Sequence, residues 1–242
     1  MNSSWNAHRR EFFGRVFGAV AAAGFAGAGT SQAQGRPSSS TASGADAWMN
    51  EVRGTHRCLF DFPQHKSGAP LLHILNYLNT YNEAYKSSPG SVGAVGTFYS
   101  IGQQSSISMA FNDEMWAKYQ LGEYLGLKDR SGKPYTRNVF SRPTTDDAGI
   151  LFQAFQTPVI PELAEGVPAI GIESLQKIGT KFLLCNNALS GWCLELQARG
   201  KGKADTIQKE LTANMLPGVT AVPAMVIAIE KAQAAGIRYN RQ

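Results

Sequence analysis

"KFLLCNNALSGWCLEL", residues 181–196, holds the transition that decides the fold. Phe182–Leu184 is an unbroken apolar run, short enough for a strand buried on both faces. It stops at Cys185. Asn186 and Asn187 follow, and then apolar positions at helical spacing. A buried strand that runs straight into a helix is half of a βαβ unit, and the same alternation recurs on either side of this stretch.

Toward the N-terminus, "HRCLFDF" (56–62) reads as a strand, and Pro70 opens a helix through Lys86 on Leu71, Leu72, Leu75, Leu78 and Tyr81. "SVGAVGTFYS" (91–100) reads as a second strand, where Gly93 and Gly96 suggest close helix packing. "SISMAFNDEMWAKYQLGEYLG" (106–126) reads as one helix with Ile107, Phe111, Met115, Tyr119 and Leu121 inward and a solvated Glu114–Lys118 pair. Toward the C-terminus come a short helix "IESLQKI", the opening strand and helix, "ADTIQKELTANML", a strand "VTAV", a helix started by Pro223, and a small final strand "IRYN". The expected fold is α/β: a single three-layer α/β/α domain on a mostly parallel sheet. Between 127 and 170 the periodicity fails, and this stretch reads as an insertion. Insertions of such length usually form lids or interaction segments.

The ends are of another kind. Arg9-Arg10 before Phe12-Phe13, a Gly/Ala-rich apolar middle from Val16 to Ala28, and Ser31-Gln32-Ala33 occur in the order of a twin-arginine export signal, 1–33. The middle is too short to span a bilayer. Export implies a periplasmic protein with no membrane anchor after cleavage. Residues 34–50 read as a flexible Ser/Gly/Pro linker, which leaves 51–242 as the domain. The whole chain carries +5 and the signal +2, so +5 minus +2 leaves +3 for the remainder, with no dense Lys/Arg run. Nothing there calls for nucleic acid.

Three cysteines, Cys58, Cys185 and Cys193, do not make a disulfide scaffold. A helix between Cys185 and Cys193 would part them by about 9 Å, beyond the reach of a disulfide. Cys58, inside a strand, and Cys193, inside a helix, read as core. Cys185 lies where open parallel sheets bind ligands, outside a strand's carboxyl end. The positive end of the following helix favours a thiolate there, and Asn186 and Asn187 could cap the helix and donate to the sulfur. The competing reading is a buried thiol packed as a small hydrophobe. Trp116 and Tyr119 read as core or as lining of the same strand-end cleft. His56, His65 and His73 share no ligand spacing with the cysteines, and Cys-x-x-Cys is absent, so no metal and no cofactor is expected.

"IESLQKIG", "TKFLLC", "NNAL" and "LPGVTAVPAMVIAIEKAQAAGIRYN", with a looser match in "LLHILNYLNTYNEAY" and "AFNDEMWAKY", resemble the DsrE/DsrF-like family of sulfur-relay-type α/β proteins. The resemblance covers most of 55–126 and 170–240. It implies that Cys185 accepts a persulfide sulfur and passes it on, that a thiol or persulfide donor or acceptor is the partner, and that the chain forms a homo-oligomer. Tyr135, Phe140, Phe152 and Phe155 are the expected apolar contacts. The alternative is a non-catalytic member, a small-ligand-binding or assembly module. A redox thiol protein is a third reading, disfavoured by the missing Cys-x-x-Cys.

Overall fold

Four apolar runs and one polar run build a single sheet in the computed structural model, which describes residues 44–242. The strands are β1 His56–Asp61, β2 Val92–Phe98, β3 Thr180–Cys185, β4 Val219–Val222 and β5 Arg238–Arg241. Their order is β4-β3-β2-β1-β5. Every neighbouring pair is parallel, with Cys58 opposite Ala94, Gly96 opposite Phe182 and Leu184 opposite Ala221. The fold is thus a single α/β domain on a five-stranded, all-parallel sheet flanked by helices.

Alternate residues of each strand serve two cores. Phe60, Phe98, Phe182 and Leu184 point into the larger one. Over it lie α1 (Ala69–Glu83), α7 (Asn186–Ala198) and α8 (Ala204–Ala213), through Leu71, Ile74 and Leu78, Leu189 and Trp192, and Ile207 and Leu211. Leu59, Val95, Leu183 and Cys185 point the other way, against Met225, Ala228 and Ala232 of α9 (Met225–Ala234). The chain steps in one direction from β1 to β4 and then crosses to the far side of β1 for β5. The point where the winding reverses is therefore between β1 and β5.

The expected signal (1–33) and residues 34–43 of the expected linker lie outside the described residues. The rest of the linker reading needs correction. Gly44–Glu51 is a 3₁₀-helical stretch, and its Trp48 is buried in the smaller core, where an indole covers sheet surface that α9 alone leaves bare. The helix expected over 106–126 is three pieces: a 3₁₀ turn Ser106–Ala110, α2 Asp113–Tyr119 and α3 Leu121–Leu125. Asn112 caps α2, its Oδ1 accepting from Met115 N at 3.1 Å, and Gln120 at φ 54° breaks the chain before α3. The five residues expected inward are all buried. Lys118 pairs with Glu210 of α8 at 2.7 Å rather than with Glu114.

The 127–170 segment also folds on the larger core. Its helices α4 (Ala148–Ala154) and α5 (Pro161–Ala164) are too short to show a period, and α6 (Ile172–Lys177) follows it. Two polar nodes organise it. Asn138 donates Nδ2 to the carbonyls of Met109 (2.9 Å) and Phe111 (2.7 Å), and its Oδ1 accepts from Phe140 N (3.0 Å). Asp147 collects four donors, described below. Tyr135, Phe140 and Phe152 are buried in the domain's own core and are not available as intermolecular contacts; Phe155 is 45% exposed. An oligomer contact in this segment would have to use Phe155 and its exposed neighbours Val159, Ile160 and Leu163; Phe155, Ile160 and Leu163 line an apolar groove of about 350 Å³ against α1.

The strand glycines are tight for different reasons. A Cβ on Gly93 would lie 2.5 Å from the Arg53 carbonyl oxygen, and one on Gly96 2.5 and 2.6 Å from the Phe182 ring, so Gly96 makes room for rings rather than for a helix. Phe182 is fixed in turn, stacked on Phe98 with centroids 5.1 Å apart. Gly96→Ala is expected to cost about 1–3 kcal/mol by overpacking. Urea unfolding checks this, and a change within about 0.5 kcal/mol would show the ring to be free to move.

Candidate functional site

β3 ends at Cys185, and its side chain falls on the α9 side of the sheet because Leu184 takes the other. The cysteine is itself the N-cap of α7: φ −78° and ψ 114° are extended, and Sγ accepts the Ala188 N–H at 3.4 Å. A second amide reaches the same sulfur. Met225 N, at the first residue of α9, donates to Sγ at 3.3 Å. The two helix starts are tied by Asn187 N donating to the Pro223 carbonyl at 3.2 Å. The Val222-Pro223 step after β4 thus aims α9 at the end of β3. Two helix N-termini converge on one sulfur, each bringing an N–H and the positive end of its macrodipole.

The other two cysteines lack such donors. Burial pushes the Cys58 thiol up to about 11 and the Cys193 thiol up to about 12. The Cys58 sulfur faces only a carbonyl acceptor, Leu59 O, at 3.9 Å. Exposure does not separate Cys58 from Cys185: they are 6% and 5% exposed. All three cysteines are free thiols.

The remaining sequence-predicted residues fall elsewhere. Asn186 and Asn187 are exposed and make no side-chain hydrogen bond to the sulfur; backbone amides hold the place assigned to them. The reason is geometric, since a cap must lie in the extended residue before the first turn, and that residue is Cys185. Trp116 and Tyr119 belong to the larger core, on the opposite side of the sheet from Cys185. The Trp116 indole donates to Ser108 O at 3.0 Å, and the Tyr119 hydroxyl is bound to Glu210. Neither lines a cleft at Cys185.

A row of polar groups that the sequence reading missed runs along the same sheet end. Tyr99 follows β2, next to β3, and packs on the cluster that holds Cys185. Its hydroxyl donates to Asp61 Oδ1 at 2.7 Å. Asp61 ends β1 at 1% exposure, and its Oδ2 accepts from Tyr239 (2.7 Å) and Arg241 (3.2 Å) of β5. Burial first, then the Asp61 carboxylate, raises the Tyr99 phenol above its ordinary range. The signal was visible: an aspartate inside the apolar run "CLFDF" is a buried charge that needs partners. Its partners, however, lie 36 or more residues away in sequence and could not be named.

Among the described residues no group of His, Cys, Asp and Glu is arranged to hold a metal ion, and no helix is long and apolar enough to cross a membrane. No family model, curated protein or solved structure matches this chain.

Proposed function

We propose that Cys185 is a sulfur-carrying nucleophile in an exported protein. The observation that carries this is the pair of amides on Sγ, Ala188 N and Met225 N, each from the start of a different helix. Two backbone N–H groups from separate helix starts are thereby aimed at one sulfur. The chemistry that fits is sulfur exchange. The Cys185 thiolate attacks the outer sulfur of a persulfide, a new S–S bond forms, the old one breaks, and the donor leaves as a thiolate that takes up a proton. Cys185 then carries the persulfide, and an acceptor thiolate removes the outer sulfur by the same exchange in reverse. No net oxidation occurs, and no cofactor is required. The amides serve both directions, because Cys185 is the attacking group in the first exchange and the leaving group in the second. The resemblance to DsrE/DsrF-like sulfur-relay proteins, centred on the same "TKFLLC" strand, supports this reading, as the twin-arginine pattern supports delivery to the periplasm. A non-catalytic binding module is the second reading, favoured by the low exposure of Cys185.

Incubating the folded full chain with glutathione persulfide should add one sulfur to Cys185, seen by intact mass and placed by peptide mapping. Cys185→Ser should take up none there while keeping the melting temperature of the parent within a few degrees. Sulfur arriving equally on Cys58, or on no cysteine, would overturn the proposal.

A further inference from the structure

The tyrosines of this chain form two groups. Tyr99, Tyr119, Tyr124, Tyr135 and Tyr239 each donate the hydroxyl to a carboxylate. Tyr77, Tyr81 and Tyr85 do not: among the described residues their hydroxyls have no protein partner. These three follow each other at four-residue spacing along and just past α1 and so share a face. Their ring centroids succeed one another at 5.0 and 5.4 Å, and His56 stacks on Tyr81 at 4.5 Å. The aromatic ladder walls a cavity of about 660 Å³, a size typical of small-molecule sites.

The topology explains the cavity. β5 is the edge strand, and α9, which leads into it, packs on the side of the sheet that holds Leu59 and Cys185. The opposite side of β5 is left open beside α1, with Phe60 and Asn240 lining it. At the end of the cavity nearest the carboxyl ends of β1 and β5 stand Lys66 and Arg241, the latter already paired with Asp61 at 3.2 Å. Lys66 makes no ion pair among the described residues, and no acidic side chain lines the cavity. This is also where the winding reverses, the place at which open parallel sheets collect ligands. Cys185 faces the other side of the sheet, so the two sites are separate.

We propose that this groove binds a small anion bearing a flat aromatic ring. The ring lies against Tyr77, the member of the aromatic wall nearest Lys66, the anionic group meets Lys66, and the free Tyr77 phenol gives a hydrogen bond to the ligand's acceptor. Aryl carboxylates and nucleoside monophosphates share this chemistry. Titration calorimetry of the full chain with indoleacetate and with adenosine monophosphate distinguishes them, with acetate and inorganic phosphate as ringless controls. One of the ring-bearing anions should bind with a Kd below about 1 mM, and the one that does names the class. Tyr77→Phe and Lys66→Gln should each weaken it about tenfold. The Tyr77 hydroxyl has no protein partner among the described residues and Lys66 is exposed, so both variants should melt as the parent does. The proposal is overturned if neither ring-bearing anion binds, if a ringless control binds as tightly, or if either variant binds as the parent does.

Discussion

Asp147→Ala is expected to lower stability by about 3 kcal/mol and to loosen the whole 127–170 segment, whereas Asp146→Ala next to it should change stability by less than about 0.5 kcal/mol. The two aspartates differ in what surrounds them. The Asp147 side chain is 5% exposed and accepts from the Arg137 guanidinium (2.6 Å), Tyr135 hydroxyl (2.9 Å), Thr144 N–H (2.7 Å) and Thr144 hydroxyl (2.9 Å). Removing it leaves a buried phenol and a backbone N–H without an acceptor, and each such orphan costs about 1–3 kcal/mol. Asp146 is 78% exposed and pairs with Arg130, itself 64% exposed, a contact worth little in water. Burial alone would raise the Asp147 carboxyl, but the Thr144, Arg137 and Tyr135 donors outweigh it and lower it. Its stabilisation is therefore present above the ordinary carboxylate range and is lost as pH falls through the lowered native value. Urea unfolding of both variants, with hydrogen exchange to locate the change, is the check. Equal effects would mean that the segment is held by its apolar residues alone.

The second large effect is a loss of about 3 kcal/mol of stability as pH falls from 6.5 to 4, traceable to His65. His65 is 2% exposed, and burial lowers its imidazole from 6.5 to about 4, against a smaller opposing contribution from the Gln103 carbonyl. Nδ1 accepts from Ser67 N at 3.0 Å, and Nε2 is buried without a partner. The sign follows from which state takes the proton first. The unfolded chain protonates near 6.5 and the native chain only near 4, so the unfolded state binds more protons between those values. Stability is whole above 6.5, falls across the window, and is flat for this group below 4. Asp147 acts below that window, which keeps the two separable. His65→Asn keeps an acceptor for Ser67 N and removes the titration. Denaturation at several pH values should show a flatter profile for this variant, and an unchanged slope would assign the loss to other groups.

The fold was legible because its strands are buried on both faces, so "TKFLLC" and "GAVGTF" stand out as apolar runs. β5 was legible only weakly, since Arg238–Arg241 is polar and exposed. What escaped was whatever rests on contacts distant in sequence. Asn112 and Gln120 divide an apparent helix, because a cap and one left-handed residue override a good period. Trp48 lies in a Ser/Gly/Ala-rich stretch whose composition says linker, yet one indole on the sheet fixes it. At the site, the position of Cys185 followed from the strand end, and the helix after it from periodicity. The second amide, Met225 N, comes from 40 residues downstream, and Trp116 and Tyr119 went to the opposite core because their register depends on where α2 starts.

The central claim is that two helix-start amides, not access, set Cys185 apart. Cys58 is the internal control, with nearly the same exposure and no N–H donor on its sulfur. Brief alkylation of the folded full chain with iodoacetamide at neutral pH, followed by peptide mapping of all three cysteines, compares them in one sample. Cys185 should label at least about tenfold faster than Cys58, with Cys193 slower still. Cys58 labelling as fast as Cys185, or Cys185 remaining unmodified until the chain is unfolded, would contradict the account.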